Sequence, residues 1–135
     1  MEATQVERDE STVMFIRTPD EVELFGPAWG RLEGLVGTRG RKFYGAFYER
    51  ENEYRVCVVM KEEDNAEALG LETGTLPGGS YLRVRLRGEP PAVYEQIQPT
   101  FEAMLASASA DETRPWLEFY RRHDEIDLLL PVASE

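Results

Sequence analysis

Cysteine and histidine are nearly absent: the 135-residue chain has one of each, Cys57 and His123. A lone cysteine excludes an internal disulfide framework, so the fold must rest on an apolar core, and this length buries roughly two-thirds of the surface of the unfolded chain. Cys57 lies in Val56-Cys57-Val58-Val59-Met60, the setting of a buried, inert thiol. His123, between Arg122 and Asp124, reads as a solvated turn residue. Basic residues are also scarce, 15 Lys plus Arg against 26 Asp plus Glu, for a net charge of −11. So acidic a surface repels phosphate backbones and anionic lipids, which argues against direct nucleic-acid binding and a membrane partner and favours cations. Long apolar runs are missing, and residues 1–10 have neither the basic start nor the apolar core of a targeting peptide, so a soluble, cytoplasmic protein is expected. No Walker or dinucleotide glycine spacing, metal-ligand cluster or catalytic triad can be assembled, and neither cofactor nor metal is expected.

What the chain does contain is a weak internal repeat. A shift of 72 lays Phe47-Tyr48-Glu49-Arg50 on Phe119-Tyr120-Arg121-Arg122, Pro19 on Pro91 and Pro27 on Pro99. The apolar stripe Val22, Phe25, Trp29, Leu32, Val36 has helical spacing, and its images are Tyr94, Ile97, Phe101, Met104 and Ala108. Each helix follows a strand rich in apolar residues and precedes two strands joined by a short polar link, at 42–50 and 54–61 in one copy and 115–122 and 125–133 in the other. The predicted organisation is an N-terminal tail at 1–11 and a single domain at 12–135. Within it, 12–61 and 76–133 are βαββ units, and 62–75 is an acidic, glycine-terminated crossover. Val22, Phe25, Leu32, Ile97, Phe101 and Met104 are expected to pack against the sheet.

Three further stretches resemble one family. They are Gly78-Gly79-Ser80-Tyr81, the strand Arg114-Pro115-Trp116-Leu117-Glu118-Phe119-Tyr120, and the closing strand Glu125-Ile126-Asp127-Leu128-Leu129-Leu130-Pro131-Val132. Their order and spacing, with the repeat, are similar to the GyrI-like small-molecule-binding domains, which also serve as effector domains of some AraC-type and MerR-type regulators. The resemblance spans about residues 12–133. It implies an α+β fold of two strand-helix-strand-strand (SHS2-type) units, with an antiparallel sheet, two helices on one face and a pseudo-twofold axis. It also implies a ligand pocket near that axis, entered by an acidic residue of the penultimate strand, which here is Glu118. No helix-turn-helix is expected within these residues.

Strand alternation sorts the candidates independently. Trp116, Glu118, Tyr120 and Arg122 share one face, and the 72-residue shift makes Tyr44, Ala46, Tyr48 and Arg50 their counterparts. On this reading Glu118 supplies charge where Ala46 leaves room, and Tyr44, Tyr48, Trp116 and Tyr120 are walls that attract a cation through their ring faces. The plainer alternative is an exposed face on which Glu118 pairs with Arg50 or Arg122. The expected function is binding of a hydrophobic, cationic or drug-like ligand, for sensing, sequestration or resistance. Two alternatives follow from the resemblance. One is a hydrolase of strained, cyclopropane-type electrophiles using Glu118 and a tyrosine, Glu118 being the one catalytic candidate. The other is a modulator of a protein partner such as DNA gyrase.

Overall fold

The structure is a computed structural model and describes residues 2–133. Along the chain run β1 (Ala3–Arg8), β2 (Ser11–Pro19), α1 (Val22–Val36), β3 (Phe43–Tyr48), β4 (Glu53–Val59), α2 (Ala66–Leu69), β5 (Glu72–Leu76), β6 (Gly79–Arg87), α3 (Ala92–Glu95), α4 (Ile97–Ser107), β7 (Trp116–Arg122) and β8 (Glu125–Pro131). The strands form one sheet in the order β1-β6-β8-β7-β3-β4-β2-β5, and every pairing is antiparallel. The two βαββ units, β2-α1-β3-β4 and β6-α3/α4-β7-β8, therefore meet at the central pair β7-β3. No helix among the described residues is long and apolar enough to cross a membrane.

Two segments differ from their expected roles. Residues 3–8, expected as part of a tail, are β1 and pair with β6 of the second unit. The crossover at 62–75 folds into α2 and most of β5, which pairs with β2 of the first unit. Each leading strand thus covers the open edge of the other unit, which removes two long unpaired edges and interlocks the halves.

Both long helices lie on one face. Ala28 and Leu32 of α1 are buried with Met14, Tyr54, Val56 and Val58, while Phe101 and Met104 of α4 are buried with Val84, Ile126, Leu128 and Leu130. The helical spacing correctly identifies this stripe, except at its start: Val22 is 73% exposed and its image Tyr94 45%, while Val93 beside Tyr94 is buried in its place. Phe25 and Ile97 are half-buried. α1 ends at Gly37, whose φ of 75° suits glycine best. The opposite face has no helix in its core, and Val13, Phe15, Tyr44, Cys57, Tyr81, Leu117 and Leu129 are buried there against other strand residues. Cys57 behaves as expected: burial pushes its thiol up to about 12.

The gapless shift holds in part. Leu128 is the image of Val56 at 72, and across the hairpins Val56 pairs with Gly45 while Leu128 pairs with Glu118. The structural counterpart of Glu118 is therefore Gly45, at 118 − 45 = 73. The second hairpin is one residue shorter between these pairs, because its connection 123–124 is two residues shorter than 49–52 and β7 takes up one of them in a register shift between Tyr120 and Arg122. A slip of one residue moves a strand's side chains to the other face. This is why Ala46, expected opposite Glu118, lies in the core of the far face.

Candidate functional site

Gly45 and Glu118 are also direct cross-strand neighbours, so the pseudo-twofold axis passes between them. Glu118 points to the helix side together with Trp116 and Tyr120, and across the axis Phe43 faces Tyr120 while Phe47 faces Trp116. The paired rings of Phe47 and Trp116 are 5.2 Å apart. Trp29 of α1 meets Tyr120 edge-on at 5.2 Å and Phe43 at 6.1 Å. From the second unit, Phe101 lies 5.3 Å from Trp116 and Tyr94 lies 6.4 Å from Tyr120. Because α1 rests on β2 and β4, and α4 on β8, the central strands lie beneath the space between the helices.

Tyr54 of β4, missed by the sequence reasoning, completes the centre. Its ring stacks on Phe25 at 4.0 Å, and its hydroxyl donates to Glu118 Oε1 at 2.7 Å. The Tyr120 hydroxyl donates to the same oxygen, also at 2.7 Å. The signal for Tyr54 was its alternation with Val56 and Val58, which puts all three on the helix face. Gly45 leaves room for the arrangement, since a Cβ there would collide with the Tyr54 hydroxyl and come within 2.5 Å of Glu118 Oε1.

Glu118 pairs with neither Arg50 nor Arg122. Arg50 lies 3.6 Å from Glu112 on the surface. Burial pushes the Glu118 carboxyl above its ordinary range, the two tyrosine hydrogen bonds pull it back, and Asp20 adds a small upward push. Burial and the neighbouring carboxylate hold both tyrosines well above the usual phenol range, so they remain hydrogen-bond donors. Among the described residues no donor reaches Glu118 Oε2, and the residue as a whole is only partly buried.

Of the five residues expected to line the site, Glu118, Trp116 and Tyr120 come together; Tyr44 and Tyr48 do not. Tyr44 is buried on the far face, stacked on Phe119 at 4.7 Å beneath the Arg8 guanidinium. Tyr48 lies there too, with Arg55 4.1 Å above its ring. Their displacement follows from the one-residue slip between β3 and β7. Two surface hollows lie away from Glu118, at the tip of the β3-β4 hairpin. Glu89, His123 and Asp124 bring possible metal-ligand atoms within 4.8 Å of one another at the surface, but a group so open to water gives an ion no dry cage.

A family model described as integron-associated effector binding protein (Cass2) matches residues 31–132. No curated protein sequence matches the chain. Among solved structures, an integron cassette protein from the mobile metagenome of Vibrio cholerae superposes with a TM-score of 0.78 at 17% identity, over 97% of this chain and 95% of that one. SAV2435, solved bound to tetraphenylphosphonium, superposes with a TM-score of 0.73 at 14% identity, over 99% and 95%. The EcmrR C-terminal domain does so with a TM-score of 0.66 at 15% identity, over 99% and 98%.

Proposed function

Since the chain belongs to the integron-associated effector binding protein family, we propose that it binds a lipophilic organic cation between α1 and α4, over the β3-β7 pair. The observation that carries this reading is the Glu118 carboxylate, half-buried on the face that carries Phe25, Trp29, Phe43, Phe47, Trp116 and Phe101 and without a basic partner among the described residues. An ionised carboxylate there loses hydration that two phenol hydroxyls restore only in part, and a cation beside it recovers the deficit. Aromatic faces add roughly 0.5 to 2 kcal/mol each. SAV2435, of the same fold, is bound to such a cation. Tyr94, 45% exposed on the four-residue helix α3, is the most exposed ring of the cluster.

Calorimetric titration with tetraphenylphosphonium and with neutral triphenylphosphine oxide tests the reading. The cation is expected to bind with micromolar affinity, about −8 kcal/mol. Glu118→Gln removes the negative charge and should weaken the cation by about 2 kcal/mol through lost Coulomb attraction, leaving the neutral compound nearly unchanged. Equal cation affinities for the two proteins would sink the role of Glu118.

The convergence of Tyr54 and Tyr120 on Glu118 favours one second reading, hydrolysis of a strained electrophile. Glu118 would draw a proton from the water that attacks the ring carbon, the strained C–C bond would break, and a tyrosine would donate a proton to the conjugated oxygen that receives its electron pair. Mass spectra of an incubated cyclopropane-type ligand distinguish the two, since binding leaves its mass unchanged and hydrolysis adds one water.

A further inference from the structure

We infer that this site selects protonated amines over quaternary onium ions of the same shape. The inference rests on the cation-binding reading above and concerns how the carboxylate divides its two oxygens. Tyr54 and Tyr120 both donate to Oε1, each at 2.7 Å. One oxygen is thereby occupied and fixed from two sides, and the carboxylate plane is held by donors from different strands, β4 and β7. Oε2 accepts no hydrogen bond among the described residues, and Glu118 is only partly buried. Below the pair, Gly45 has no side chain, and any Cβ there would press on Oε1 and on the Tyr54 hydroxyl. The free acceptor is therefore presented in one direction by a rigid support.

Such an oxygen discriminates by what a cation can donate. A protonated tertiary amine directs one N–H at Oε2 at about 2.8 Å and forms a charge-assisted hydrogen bond. A quaternary ammonium or phosphonium of the same bulk keeps its charge behind carbon, cannot donate, and is left with ring faces and longer-range attraction. Because both phenols share Oε1, Oε2 keeps both of its lone pairs for a ligand donor.

The test uses three pyrene probes of nearly equal shape: N,N-dimethyl-1-pyrenemethylamine, protonated at neutral pH, its N-methylated quaternary analogue, and neutral 1-methylpyrene. Affinities are read at pH 7.5 from quenching of Trp29 and Trp116 in the full chain. The tertiary ammonium is expected to bind at least about tenfold more tightly than the quaternary one, equal to about 1.4 kcal/mol. Glu118→Gln turns an amide NH2 toward the same position and should reduce that ratio to near one. Equal affinities of the two cations for the wild type, or tighter binding of the quaternary one, would overturn the inference and leave cation binding standing. If neither cation outbinds 1-methylpyrene, the cation-binding reading itself is wrong and the inference goes with it.

Discussion

Gly45→Ala is the sharpest probe of the centre, because its cost comes from a single added carbon. The backbone at Gly45 does not occupy the left-handed region, so alanine is conformationally admissible and brings only its Cβ. That atom would come within 2.5 Å of Glu118 Oε1 and 2.8 Å of the Tyr54 ring carbon that bears the hydroxyl. The collision has to push Tyr54 off the carboxylate, ending a hydrogen bond to a charged group worth about 1.5 to 3 kcal/mol. Crowding in a packed site costs a further ~1 to 3 kcal/mol. Replacing a glycine inside a strand returns about 0.5 to 1 kcal/mol. A net loss of about 2 to 5 kcal/mol follows, a large share of the ~5 to 15 kcal/mol available to a domain. Urea unfolding measures it, and the emission of Trp29 and Trp116, both in the aromatic cluster, reports on the site directly. In a Tyr54→Phe background the hydroxyl is already gone, and the same substitution should cost about 1.5 to 3 kcal/mol less. A wild-type midpoint for Gly45→Ala, or an equal cost in both backgrounds, would refute the account of Gly45 as the space that lets Tyr54 reach Glu118.

Glu118 also makes stability depend on pH, in the direction opposite to that of a salt-bridged carboxylate. Its native pKa lies above the ordinary 4.5, so the folded protein holds this proton more tightly than the unfolded chain does. Stability therefore falls as pH rises from the ordinary value through the raised one, and is indifferent to this group below that window. The stability difference between wild type and Glu118→Gln, measured by urea unfolding from pH 3 to 8, should decline across the window and level off above it; a flat difference would contradict the burial of the charge. In the core, Phe101→Ala should cost about 3 to 5 kcal/mol, since the ring is buried against Trp116. Val22→Ala, on the same predicted stripe but 73% exposed, should stay within about 0.5 kcal/mol of wild type. Both are read from urea midpoints, and equal losses would mean that the stripe is buried from its first residue.

Much of this was determined by the sequence alone. The 3.6-residue stripe located the buried faces of α1 and α4, because a helix can hide only one side against a sheet. The two-residue period put Trp116, Glu118 and Tyr120 together, and that relation is internal to one strand and needs no partner. The repeat announced two equivalent units. Tertiary structure decided whatever depends on how strands are paired. A hairpin one residue shorter is a small change in the chain, yet it turns β3 over relative to β7, so that Gly45 and not Ala46 faces Glu118 and Tyr44 and Tyr48 lie on the far side. Only pairing brought Tyr54 to Glu118, and only pairing sent β1 and β5 to each other's units. Alternation fixes which residues share a face of their own strand; which face meets the helices is set by contacts between strands distant in the chain.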